Sequence, residues 1–323
     1  MKSAQMDTPN LANQNDFAAE RSQVDGKLYG YSMGWGPLMY FYNQDAFDKY
    51  GIEVPTTWDE FRAASEKLHQ ANPDMYLSNF PSLNTAYGGV LWQAGQKPFQ
   101  TEGTTVAINW DSPEAQKVSE YWQGMLDADL TATIPDFTAD WNQGIANGKF
   151  ASFIGGAWYP SVIASSAPDQ SGQWRVAQLP QWTAGDTAGA DAGFAVMAIP
   201  KLSTNQAAAA DFAKWVTGTD EGVGSLHDIQ ILFPTYKPLL ESEELANEAN
   251  PYFGDQKINQ EFITAGKGID YTYEYGPFWD YATSLQDQAV GQAMQGQVKL
   301  PDAMTTIQDQ LVQYATDQGY TVK

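Results

Sequence analysis

Cysteine is missing from all 323 residues, which removes disulfides, thiolate zinc ligands and thiol nucleophiles at once. Histidine is almost missing too. His69 and His227 are the only imidazoles, and they are not spaced to share a metal. His69 is expected on the polar side of a helix and His227 beside Asp228 at a polar–apolar junction, so both read as solvated or structural. Basic residues are scarce: 17 Lys and Arg stand against 39 Asp and Glu, for a net charge of −22. Such a field repels phosphate backbones and anionic headgroups, so no nucleic-acid partner is expected. No run of eighteen apolar residues offers a membrane span. Met1-Lys2-Ser3 leads into polar residues, so no export signal is read here; any signal or lipid-anchoring cysteine either stood upstream and was removed or never existed. Walker motifs, EF-hand loops, zinc spacings and the Gly-x-Ser-x-Gly elbow are also missing, and no cofactor or metal is expected.

What is present is a foldable, aromatic-rich chain. The hydrophobic set makes up 43% and aromatics 13%, with eleven tryptophans, enough for one large or two smaller cores. Residues 28–31 and 38–42 read as strands separated by a Gly- and Pro-rich loop at residues 33–37. Thr57 and Glu60 form a capping box before a helix carrying Phe61, Ala64, Ser65 and Leu68 on one face. Ser112-Pro113-Glu114 starts another helix, with Val118, Tyr121, Trp122, Met125 and Leu126 in phase. A short helix from Trp141 leads to a buried strand at residues 150–154 that stops at Gly155-Gly156. Residues 174–179 and 194–199 are short strands, each followed by proline. Residues 206–216 form an Ala-rich helix with Ala208, Phe212, Trp215 and Val216 in phase. A last helix carries Met304, Ile307, Leu311 and Tyr314, with Gly319 as its stop. Strands alternating with helices indicate an α/β fold with mixed sheets, and no linker separates two halves.

Residues 24–68, VDGKLYGYSMGWGPLMYFYNQDAFDKYGIEVPTTWDEFRAASEKL, carry a Gly-punctuated strand region, a Tyr-Asn end, a turn helix and a Thr-Trp-Asp-Glu-Phe helix start. This order resembles extracellular solute-binding proteins that feed carbohydrate to ABC importers, the maltodextrin-binding-protein-like group. The later stretches DWNQGIANGKFASFIGGAWYP, WRVAQLP, GFAVMAIP, YGPFWDYA and LPDAMTTIQDQL resemble its further motifs in the correct order. QAGQKPFQTEG looks like the variable loop of that group. The resemblance implies a periplasmic-binding-protein-like (type II) fold of two interwoven lobes, residues 1–35 with 194–248 and residues 36–193 with 249–323. In that group the Asp-Gly-Lys-x-Tyr segment follows a first βαβ portion, whereas here it begins at Asp25, so an incomplete N-terminal lobe is expected. It further implies a monomer outside the cell, lipid-anchored or periplasmic in full-length form. Such a protein would close at a hinge near residues 33–38, 191–194 and 239–250 and deliver its sugar to permease subunits.

Sugars present apolar C–H faces and a rim of hydroxyls, which aromatic rings and Asp, Asn or Thr side chains complement. Trp58, Trp122 and Trp215 fall on helical stripes and read as packing. Trp158 differs, because it follows two glycines at a strand end, where an open α/β sheet exposes its crevice. The resemblance places a sugar-stacking ring there too. It also implies a stacking ring in the Phe278-Trp279 pair; the two point in different directions at a helix start, so one of them is expected in the core, and Trp279 is taken as the cleft-facing one. Trp35, between Gly34 and Gly36, is either a loop anchor or a crossover ligand contact. Asn84 and Thr85 occupy a loop where relatives place a cleft contact. Asp140 is explained equally by a helix N-cap, and Asp191 by a turn or by hydroxyl binding. A glycoside hydrolase with a Trp-lined cleft and two catalytic carboxylates is the alternative, although no motif singles out such a pair. A polyol, amine or peptide would be the alternative cargo.

Overall fold

The computed structural model describes residues 11–24, 26–230 and 232–323, without the side chains of Asn84 and Gln230. Residues 1–10 and Asp25 of the expected first lobe lie outside them.

The larger unit is built around the strand Leu38–Asn43, whose six residues are all buried. It pairs antiparallel with Phe150–Gly156 on one side and Trp174–Ala177 on the other. Tyr76–Ser78 adds a parallel edge next to Phe150–Gly156. Side chains alternate across the pleat. Tyr40 meets Phe61 edge-on at 5.9 Å on one face, and Phe41 stacks on Tyr159 at 5.9 Å on the other. Apolar cover on both faces explains why the strand lacks a polar side.

The helices on this sheet start where their caps predict. Thr57 accepts from the Glu60 N–H, and the Glu60 carboxylate accepts from the N–H groups of Thr56 and Thr57, opening Trp58–Ala71. Ser112 caps Pro113–Asp127. Leu300–Asp317 buries Met304, Ile307 and Leu311 and packs against that helix. Trp58 and Trp122 are fully buried and meet edge-to-face at 5.9 Å, as packing residues. The stretch read as a variable loop instead contains the strand Phe99–Glu102, which pairs with Thr105–Ile108 in a small sheet.

A smaller unit pairs Tyr31–Gly34 antiparallel with Ala195–Met197, covered by the helix Gln206–Gly218. The strand expected at residues 28–31 is therefore displaced, running through Met33 and Gly34, which were expected in a loop. Its own core contains Leu28, Tyr31, Ile199 and Ala213. The helix corrects a second expectation. It turns Ala213 and Val216 inward, leaving Phe212 53% and Trp215 40% exposed. The alanines fit closely against the strand, so the aromatic stripe takes the opposite face. Leu245 of the helix Glu243–Asn247 is buried in the same cluster as the central strand.

Several chain passages run side by side between the units. Leu38 N–H donates to Ala190 O at 2.8 Å, Ala192 N–H to Gly36 O at 2.7 Å, and Trp35 N–H to Phe233 O at 3.0 Å. These bonds hold residues 189–194 beside the start of the central strand and set the position of Asp191.

Candidate functional site

A cavity of about 360 Å³ opens where residues 191–194, the helix Asn84–Gln93 and residues 273–279 meet. Thr85, Trp92, Asp191, Gly193, Phe194, Tyr273, Tyr275 and Trp279 line it. Thr85, Asp191 and Trp279 are thus brought together from three distant parts of the sequence.

Its walls are aromatic. Trp92 lies flat on Tyr273, with ring centres 4.0 Å apart and 10° between planes. Trp279 meets Tyr275 edge-on at 4.7 Å. Phe278 turns away into the core against Tyr314 and Tyr320, which leaves Trp279 half-buried on the cavity wall. Arg21, at the end of the helix Asp16–Arg21, donates to Tyr273 O at 2.6 Å. Its guanidinium lies 4.5 Å from the Tyr275 ring centre and 5.5 Å from that of Trp92, a cation–π arrangement.

The polar atoms on these walls are few. Asp191 Oδ1 accepts from Gly193 N–H at 3.1 Å, making the turn foreseen in the sequence. Asp191 Oδ2 and Thr85 Oγ1 are both buried and have no hydrogen-bond partner among the described residues. Burial pushes the Asp191 carboxyl up to about 6, against the opposing pull of the Gly193 N–H, the Arg21 guanidinium and the Gly36 N–H. Buried polar atoms are nearly always paired, so two orphan oxygens on one cavity mark a place for hydroxyl groups. Among the described residues, Asp191 is the one carboxylate on the lining.

Trp158 adjoins this cavity at Gly193. Its indole N–H donates to Ala192 O at 3.0 Å. A Cβ on Gly156 would stand 2.5 Å from the indole nitrogen, and one on Gly193, at φ +149°, 3.1 Å from it. Glycine at both positions makes room for the ring. Phe137 stacks on Trp158, with ring centres 5.9 Å apart.

The other expected residues lie elsewhere. Trp35 is 7% exposed and held between Phe17 and Phe233, as a loop anchor would be. It borders a separate cavity of about 450 Å³ with Phe17 and Tyr271. Asp140 is exposed in the first turn of Ala139–Ala146, where Thr138, not Asp140, is the N-cap. The Asn84 side chain lies outside the described residues. His227 is bound to Glu248 at 2.8 Å and to Leu232 O at 3.2 Å, and His69 stacks on Tyr76 at 5.6 Å. Sequence reasoning missed Trp92, Tyr273, Tyr275 and Arg21. No periodic signal marked them, since residues 271–272 form a turn and Tyr271 lines the separate cavity, not this one.

Three comparisons with known proteins bear on this site. A model of the bacterial extracellular solute-binding protein family matches residues 2–252. The arabinooligosaccharide-binding protein of Bacillus subtilis (strain 168) is 25% identical over 71% of this chain and 53% of its own length. The chain thus spans about half the length of that curated relative. An ABC transporter associated binding protein from B. animalis subsp. lactis Bl-04, solved with beta-1,6-galactobiose, is 31% identical, with a TM-score of 0.90 over 96% of this chain and 78% of that one. The galacto-N-biose-/lacto-N-biose I-binding protein of the ABC transporter from Bifidobacterium longum, solved with lacto-N-biose, is 27% identical, with a TM-score of 0.82 over 96% and 76%. The mixed α/β architecture is therefore periplasmic-binding-protein-like, and its family and structural neighbours are binding proteins, not enzymes.

Proposed function

We propose, for a chain that belongs to the bacterial extracellular solute-binding proteins, capture of a neutral di- or oligosaccharide without chemical change. The observation that carries this reading is the pair of orphan oxygens, Thr85 Oγ1 and Asp191 Oδ2, on an aromatic-walled cavity. The Tyr275 and Trp279 rings cover the C–H faces of a sugar, the buried Trp92 stacked on Tyr273 closes the wall behind them, and the two oxygens take its hydroxyls. Thr85, Asp191, Trp158 and Trp279 are ligand contacts in this reading, with Tyr275 added and Trp35 kept as a packing anchor. The neighbours solved with galactobiose and lacto-N-biose support a neutral disaccharide as the smallest good ligand.

The protein acts as a monomer outside the cell, periplasmic or lipid-anchored, and passes its cargo to the permease of an ABC importer. Its two units are lobes that close over the ligand about the adjacent passages at residues 34–38 and 189–194. Among the described residues no helix is long and apolar enough to cross a membrane. The hydrolase reading is disfavoured because the family and structural neighbours are binding proteins.

Tryptophan fluorescence and calorimetry of the chain with neutral disaccharides, beta-1,6-galactobiose included, test the proposal. Saturable one-to-one binding with the sugar recovered intact is expected. Hydrolysis products, or no binding by any member of the panel, would refute it.

A further inference from the structure

Phe137 is held in a backbone conformation that its side chain disfavours. Its φ is +61°, in the left-handed region. The other non-glycine residues there, among those described, are Asp129 and Asp255, a type that tolerates it better. The loop leaves Phe137 no easy escape. The Asp136 carboxylate accepts from Ser82 Oγ and Leu83 N–H at 2.9 Å and from Asn79 Nδ2 at 3.0 Å. On the other side Thr138 donates to Pro135 O at 2.8 Å and caps the helix through Trp141 N–H at 3.2 Å. A strained residue pinned from both sides is a pattern found at ligand sites.

The ring gains little burial for this strain, since Phe137 remains 44% exposed. If it served only to cover Trp141, 5.2 Å away, a more enclosed position would serve better. Instead its plane lies within 26° of that of Trp158, whose indole bonds to Ala192 O beside the cavity-lining Gly193. The Ser82 and Leu83 contacts also tie this loop to the segment leading into Thr85. An aromatic surface therefore continues from the cavity over Trp158 to Phe137.

We propose that Phe137 is an outer stacking platform that selects for ligand length, holding a sugar unit beyond those inside the cavity. The inference rests on the sugar-binding reading given above. It is tested with Phe137→Gly and Phe137→Trp, titrated beside the wild-type chain with a mono-, di- and trisaccharide of one series, with thermal melting as a second readout. The glycine variant should melt no lower than wild type, because glycine tolerates this backbone while the ring is lost. It should bind the monosaccharide equally and the trisaccharide roughly three- to tenfold more weakly. The tryptophan variant should restore the preference for length. Wild-type binding with an unchanged length profile in Phe137→Gly would overturn this inference alone. No sugar binding by the wild-type chain would overturn the reading of the cavity and this inference with it.

Discussion

Replacing Asp191 by asparagine keeps the shape of the side chain and removes its charge from a buried wall of the cavity. The carboxyl rises from an ordinary 3.8 to about 6 in the folded protein because it is buried. Its folded value is raised, so the stability it contributes is fully present below pH ~4 and is lost as the pH rises through ~6. A shift of roughly two units corresponds to about 3 kcal/mol at neutral pH, as an upper figure. Asp191→Asn should therefore melt higher than wild type at pH 7.5, by about 2–4 °C for each kcal/mol, and the gap should close near pH 4. Asparagine can still accept from Gly193 N–H through its carbonyl oxygen. Its NH₂ group, however, cannot accept the proton of a ligand hydroxyl, so the charged acceptor is replaced by a neutral donor. Losing a charge-assisted hydrogen bond of about 1.5–3 kcal/mol weakens binding by roughly 10- to 150-fold. Scanning calorimetry from pH 4 to 8 and isothermal titration with a disaccharide read both effects. Wild-type affinity should rise between pH 5 and 7.5, while that of the variant stays flat. A lower melting point for the variant at pH 7.5, or undiminished affinity, would refute the assignment of Asp191 Oδ2 to the ligand.

Other substitutions separate stacking from packing. Trp279→Ala removes the half-buried ring facing Tyr275 and should weaken sugar binding at least tenfold while the chain still unfolds cooperatively, as checked by fluorescence titration and circular dichroism. Trp158→Ala forfeits the bond to Ala192 O and the stack with Phe137, so binding should fall with only a modest loss of melting temperature. A collapse of the fold would show that Trp158 is mainly a packing residue. Arg21→Met removes the cation that helps to keep Asp191 ionised, so the pH midpoint of ligand affinity should move upward in calorimetric titrations.

Much of the larger unit was legible because its signals are local. The Thr57 and Ser112 caps, the stripe through Val118, Trp122 and Met125 and the apolar run at Leu38–Asn43 depend on neighbours within a few residues. Trp158 stands out in the sequence for the same reason, as a bulky ring following two glycines, while its ligand contact is a proposal. The faces of the helix Gln206–Gly218 were not. Its alanines and its aromatics both follow helical spacing, and only the partner strand decides which face turns inward. The stack of Trp92 on Tyr273 joins segments far apart in the chain and leaves no periodic trace in either. Phe137 sits in a loop, where no periodicity exists to mark an exposed ring.

A crystal structure of the chain grown with a saturating neutral disaccharide tests the account most directly. The expected result is an intact sugar against the Trp279 and Tyr275 rings, with a hydroxyl within hydrogen-bond distance of Asp191 Oδ2. Sugar bound instead between Phe17, Trp35 and Tyr271, or cleaved at the glycosidic bond, would contradict it.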